Sequence, residues 1–363
     1  MKIRPHLLKF ERISGDVKRR MAELIGSGEF RGLNCRLLAP VGWPKRIVEF
    51  FKNSDWASMS LDGGVEELKR EVCNFWSNYA EVKPEQVKIG AGSMKIMQCI
   101  NKIFLAPGIK TLGVAPQFYG YPLDVRANNA HYKGVLLDPK ENLKINLNSL
   151  LNEIKPDYSL IYLDNPNNPT GQLINLADME EIVREAKKND VVVIVDEAYA
   201  DLVDQGSSAI CLLNRYDNLV VVRSFTKGYR FSMIGYGILS PTLGFYYDKL
   251  DFPPAVPKMN IAVAKEALLD KDYIPYLRQK VRSVKSELTA ALKELDFNIA
   301  ETCEYCEIFV LGHKNRDIDL WEYLIKKGIL TVSSEEFYDS PNFGKNHVRV
   351  NIPMETEEFL VRL

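Results

Sequence analysis

Short runs of β-branched and aliphatic residues recur through the middle of this chain, and each stops at a polar cluster. Thr111–Val114 runs into Ala115-Pro116, and Leu160–Leu163 into Asp164-Asn165. Val191–Val195 runs into Asp196, and Leu219–Val222 into Arg223-Ser224. Strands this continuously apolar are buried on both faces. The stretches between them, such as Asn175 to Lys188, are charged and suit helices. Strands alternating with helices predict an α/β fold with a mostly parallel central sheet covered by helices. In such sheets ligands gather at the carboxyl ends of the strands. The polar clusters fall at those ends, as a single shared site requires.

The pattern changes near Lys258. Tyr273 to Leu295 reads as a long charged helix, followed by strand-like Glu307–Val310 and a helix from Leu320 to Lys327. Gly328–Val332 and Val348–Ile352 then read as strands. This predicts a smaller α+β domain from residues 1–45 and 258–363 beside a large domain at 46–257. The first forty residues carry no strong strand pattern. They are expected to pack on the small domain or reach across to a partner subunit.

The 363 residues include 47 Lys and Arg against 48 Asp and Glu, a net charge of −1. That balance argues against nucleic acid or an anionic membrane as the main partner. No apolar stretch is long enough to span a bilayer. Met1–His6 lacks the apolar core of a signal peptide, so a cytoplasmic location is expected. The six cysteines are scattered and read as reduced thiols. Cys303 and Cys306 have C-x-x-C spacing, but no second ligand pair accompanies them, and a strand rather than a helix follows. No metal site is expected.

The chemistry centres on Lys227, in Ser224-Phe225-Thr226-Lys227 after an apolar run. A lysine amine at a strand end among small hydroxyl residues can condense with an aldehyde. Asp196 follows an apolar β-branched run, where a carboxylate is poorly hydrated and needs a cationic partner. Asn167-Asn168-Pro169-Thr170-Gly171 is a turn that can present an amide. Gly90-Ala91-Gly92-Ser93 opens a helical pattern through Phe104, and glycines entering a helix expose amides that suit an anion.

In chain order these motifs, with Pro116–Tyr119 and Arg349, resemble the fold-type I pyridoxal-phosphate enzymes. The likeness is to the class I/II aminotransferases, in the branch holding histidinol-phosphate aminotransferase and threonine-phosphate decarboxylase, and it covers Leu68 to Ile352. The resemblance implies pyridoxal 5′-phosphate as cofactor, and a homodimer with sites near the interface. It implies that Lys227 is the covalent anchor and proton carrier, and that Asp196 pairs with the pyridine nitrogen. Tyr199 and Asn168 would bond the phenolic oxygen, while Phe118, with Tyr119 as the neighbouring candidate, would lie on the ring. Gly92, Ser93, Met94, Ser224, Thr226 and Arg230 complete the implied cofactor site. Arg349 would grip the substrate carboxylate. The implied partners are a small amino donor and a 2-oxo acid acceptor.

The chain departs from this family at several places. Relatives carry a phosphate-binding arginine eight residues after the lysine. Here Gly235-Tyr236 arrives two residues early and that arginine is missing, so Arg230 or Arg223 is a candidate substitute. Ser60 stands where relatives have a tyrosine that reaches across the dimer, so weaker cofactor binding is expected. Leu33–Pro40 replaces the usual substrate loop, which counts against histidinol phosphate as substrate. A decarboxylase or cyclase on the same scaffold, or a non-catalytic homologue, are the alternatives.

Overall fold

The computed structural model describes residues 3–8, 14–25, 30, 32–36, 41–54, 64–231, 233–251, 256–295, 297–337 and 340–363. The N-terminal part includes the helix Ser14–Ile25 and a two-residue strand, β1 (Leu33–Asn34). The central sheet follows, built from β2 (Val87–Gly90), β3 (Lys110–Ala115), β4 (His131–Leu136), β5 (Tyr158–Asp164), β6 (Val192–Asp196), β7 (Leu219–Ser224) and β8 (Gly235–Leu239). Its spatial order is β2-β8-β7-β6-β5-β3-β4. The pairs among β3 to β7 are parallel, and β8 runs antiparallel to both of its neighbours.

The unbroken apolar runs are explained by two cores, one on each face of this sheet. Leu160, Tyr162, Ile194, Val220 and Val222 pack with Ile96, Met97 and Ile100 of the helix Ser93–Phe104. The alternate residues Ile161, Leu163, Val193, Val195, Leu219 and Val221 face the other core. There they meet Met179, Ile182, Val183 and Ala186 of the helix Leu176–Lys188. The Asn175 side chain starts that helix by accepting from the Asp178 amide at 3.0 Å.

The C-terminal part forms a second sheet from β9 (Phe297–Ile299), β10 (Ile308–His313), β12 (Val332–Ser333) and β13 (His347–Asn351), all antiparallel. The stretch Gly328–Val332, expected as one strand, is divided. β11 (Ile329–Leu330) pairs in parallel with β1, and β12 turns into the second sheet. β1 itself was not expected, because two residues leave no alternation to read. The helix Lys258–Leu269 packs on Lys45–Asn53 and Val65–Trp76. No helix among the described residues is long and apolar enough to cross a membrane.

Candidate active site

The carboxyl ends of the central strands open on one cavity of about 590 Å³. Ala91–Met94 reach it after β2, Phe118 and Tyr119 after β3, and Asp164 and Asn168 at and after β5. Asp196, Ala198 and Tyr199 lie at and after the end of β6, and Ser224, Thr226 and Lys227 at and after the end of β7. Asn34, Arg36, Met233, Val332, Glu336 and Arg349 complete the lining. The cavity thus unites Gly92, Ser93, Met94, Phe118, Asn168, Asp196, Tyr199, Ser224, Thr226, Lys227 and Arg349. Arg230 does not line it.

The Lys227 amine lies 4.9 Å from the centre of the Tyr199 ring. Its turn is held from both sides. The Ser224 hydroxyl accepts from the Thr226 amide at 3.2 Å and donates to the Thr226 hydroxyl at 2.9 Å. On the far side the Gly228 amide donates to Asp201 Oδ2 at 3.1 Å. Asp201 is itself gripped by Arg223, whose guanidinium donates to Asp201 at 2.9 Å and to Glu197 at 2.7 Å. Arg223 is 4 % exposed and stacks over Trp76. It is committed to this network, which corrects the expectation that it might replace the missing phosphate-binding arginine. Arg230 stands in the left-handed region at φ +58° in the tight turn before β8, and burial lowers the pKa of its guanidinium against the pull of Tyr273 and Glu307. Ser60 and Leu37–Pro40 lie outside the described residues.

Asp196 is buried, accepting from the Tyr162 hydroxyl and the Ala198 amide, each at 3.0 Å. Burial pushes its carboxyl up to about 6, while those two donors and the Lys227 charge pull against it. Tyr162 is set by stacking on Tyr121, with centroids 3.9 Å apart. Arg349 donates to Asn168 Oδ1 at 3.1 Å, to the Arg36 carbonyl at 2.9 Å and to Asn351 Oδ1 at 3.3 Å. Its Nε is buried without a hydrogen-bond partner among the described residues. The helix Ser93–Phe104 begins at Gly92, φ +83°, with no side chain capping it, so its first amides stay open toward the cavity.

Sequence reasoning missed two buried acids here. Asp164 Oδ2 accepts from the Phe118 amide at 3.0 Å and the Asn168 amide at 2.9 Å, while Oδ1 accepts from the Asn167 side chain at 2.9 Å. Burial pushes this carboxyl up to about 7 against the pull of those amides. Its place at the end of β5, immediately before the Asn-Pro turn, was the available signal. Glu307, 1 % exposed, keeps Oε1 without a hydrogen-bond partner among the described residues. Burial pushes it up to about 7, with the Lys227 charge as the largest opposing influence. Its position beside β10 is far from Lys227 in sequence, and only the fold brings the two together.

Residues 24–363 match the family model for aminotransferase class I and II. The chain belongs to the class I and II aminotransferases. It is 27 % identical over 326 residues to histidinol-phosphate aminotransferase 2 of Pseudomonas fluorescens, covering 88 % of this chain and 84 % of that protein. It is 28 % identical over 313 residues to histidinol-phosphate aminotransferase of Methanococcoides burtonii, covering 85 % and 82 %. Among solved structures, aspartate aminotransferase of Thermotoga maritima is similar in fold, with a TM-score of 0.83, 20 % identity and coverage of 99 % and 98 %. Histidinol-phosphate aminotransferase of Clostridium acetobutylicum gives 0.79, 20 %, 91 % and 98 %. This aminotransferase is therefore a pyridoxal-phosphate-dependent transferase acting on small amino and oxo compounds.

Proposed function

We propose that this aminotransferase moves an amino group from an amino acid, or an amino phosphate, to a 2-oxo acid, with Lys227 as the covalent anchor and proton carrier. The observation that supports it is the convergence of Lys227, Asp196, Tyr199, Asn168, Phe118 and Arg349 on one cavity. These residues suit the parts of pyridoxal 5′-phosphate. The buried Asp196 offers a carboxylate to a pyridine N–H. The open amides after Gly92, with Ser93, Met94, Ser224 and Thr226, offer donors to a phosphate. Lys227 supplies the amine that meets the aldehyde, and Phe118 an aromatic face.

When bound, the cofactor serves as an electron sink for charge developing at the substrate Cα. The protein's own steps are these. Arg349 grips the α-carboxylate with its guanidinium and so orients the Cα–H bond. Lys227, as a free amine, would remove that proton and deliver it past the nitrogen, to the carbon that carried the cofactor aldehyde. Tyr199 and Asn168 would hold the cofactor's phenolic oxygen, and Asp196 would keep its ring nitrogen protonated. A second substrate, the 2-oxo acid, then takes the amino group in a ping-pong sequence.

The same proposal includes a homodimer in the cytoplasm, and a division into a large part at 46–257 and a small part at 1–45 and 258–363. The separate seven-stranded and four-stranded sheets support that division.

Borohydride reduction of the holoprotein followed by peptide mass spectrometry tests the core of this reading. The cofactor mass is expected on the peptide bearing Lys227, and Lys227→Ala is expected to remove it. A label elsewhere in the chain overturns the assignment. Release of CO2 without 2-oxo acid from the amino donor overturns transfer in favour of decarboxylation.

A further inference from the structure

Resting on that transamination reading, we propose that the amino donor carries an uncharged, largely apolar side chain, and that the Arg36–Glu336 pair turns away donors with a second anion. The cations lining the cavity, among the described residues, are Lys227, Arg349 and Arg36. Lys227 serves the cofactor. Among the described residues Arg349 hydrogen-bonds only neutral acceptors, namely the Asn168 and Asn351 amides and the Arg36 carbonyl, so its guanidinium is open to one carboxylate.

Arg36 differs in kind. Its two terminal nitrogens donate to the two oxygens of Glu336 at 2.9 and 3.0 Å. This is the forked geometry that makes an arginine–carboxylate pair strong. The pair is sheltered, with the Arg36 side chain 28 % exposed and that of Glu336 11 %. A second carboxylate or a phosphate on the substrate would meet a guanidinium already neutralised and a carboxylate beside it. To bind, the anion must displace Glu336 from Arg36 and leave that acid poorly hydrated and unpaired.

The cavity lining also suits an apolar group. It includes Val332 and Met233 with Phe118 and Tyr119. The same Arg36 whose side chain is locked to Glu336 offers its carbonyl to Arg349. The α-carboxylate subsite and the selectivity pair thus share one residue, and a donor seated on Arg349 brings its side chain close to that pair.

The test uses the full-length holoenzyme in single-turnover reactions, following the lysine-bound cofactor absorbance. The donors are L-leucine, L-phenylalanine, L-aspartate, L-glutamate and O-phospho-L-serine. The neutral donors are expected to react with an apparent second-order rate constant about tenfold or more above the three acidic ones. Glu336→Gln, which leaves Arg36 charged and unneutralised, is expected to raise the acidic-to-neutral ratio about tenfold. Arg36→Gln, which keeps Glu336 charged, is expected to lower it, and gives a second reading should the first variant fail to fold. An acidic donor that matches leucine and phenylalanine in the wild-type protein, or a ratio unmoved by both variants, overturns the proposal while leaving transamination intact. Failure of all five donors to react overturns the proposal and leaves the transamination reading to an amino phosphate without an α-carboxylate.

Discussion

At the residue scale, the site depends on titratable groups buried within the fold. Glu307 has its carboxyl raised by burial to about 7 from an ordinary 4.5. A raised acid is favourable to the fold while protonated. Its contribution is fully present below pH 4.5 and is lost as the pH rises through about 7. Glu307→Gln, neutral at every pH, is therefore expected to gain stability over the parent at pH 8 by on the order of 3 kcal/mol relative to their difference at pH 4.5. Denaturant titrations of both proteins at the two pH values check this; a difference that does not change with pH refutes it. Lys285 makes the opposite kind of demand. Its ammonium donates to Thr302 Oγ1 and to the carbonyls of Cys303, Cys306 and Ile308 at 2.7 to 3.0 Å. Burial pushes it down to about 8, which leaves it charged at neutral pH. Lys285→Met is expected to cost about 3 kcal/mol or more in chemical denaturation, because it strands several buried acceptors at once.

At the element scale, strand ends and turns convert a fold into a site. Asp164 ties the end of β5 to the turn after β3 through the Phe118 amide, and to its own Asn-Pro turn through the Asn168 amide. One carboxylate thus positions two residues assigned to the cofactor ring. Asp164→Ala leaves both amides without their acceptor, and is expected to weaken cofactor binding about tenfold or more. Asp164→Asn keeps an acceptor oxygen and is expected to recover most of that loss. Titrating the cofactor-free protein with pyridoxal 5′-phosphate by absorbance measures both; equal affinities in all three proteins count against the role. The turn after Lys227 shows the same logic. Asp201, Arg223 and Glu197 clamp it, and a Cβ on Gly228 would run into the Asp201 side chain. Gly171 is needed for a similar reason, since φ is +74° and an added Cβ would strike the Ile308 carbonyl.

At the scale of the whole molecule, the N-terminal segment and the C-terminal sheet close the cavity that the central sheet opens. β1 pairs with β11, the Arg36 side chain pairs with Glu336, and the Arg36 carbonyl orients Arg349. Deleting residues 1–40 is expected to raise the KM for the amino donor about tenfold or more, through loss of the Arg349 acceptor. The cofactor-binding residues all lie beyond the deletion, so cofactor affinity is expected to change less than KM. Steady-state kinetics beside a cofactor titration separates the two effects. An unchanged KM in a folded variant rules out the closing role.

Much of this was legible in the chain because it depends on local rules. A strand buried on both faces must be apolar throughout, so the runs ending at Asp164, Asp196 and Ser224 announced a covered parallel sheet. Sheet topology then brings strand ends together, which made Lys227, Asp196, Asn168 and Tyr199 readable as one group. What stayed hidden depends on separation in sequence. Arg223 and Arg230 both looked free to bind a phosphate, and only packing against Glu197, Asp201 and Trp76 shows Arg223 to be a buried clamp. Arg36 and Glu336 stand 300 positions apart, in stretches with no strong pattern. The sequence alone determined the sheet and the polar groups at its edge. The tertiary structure decided which of those charges remain free, because pairing between distant side chains follows from burial and geometry that no local pattern encodes.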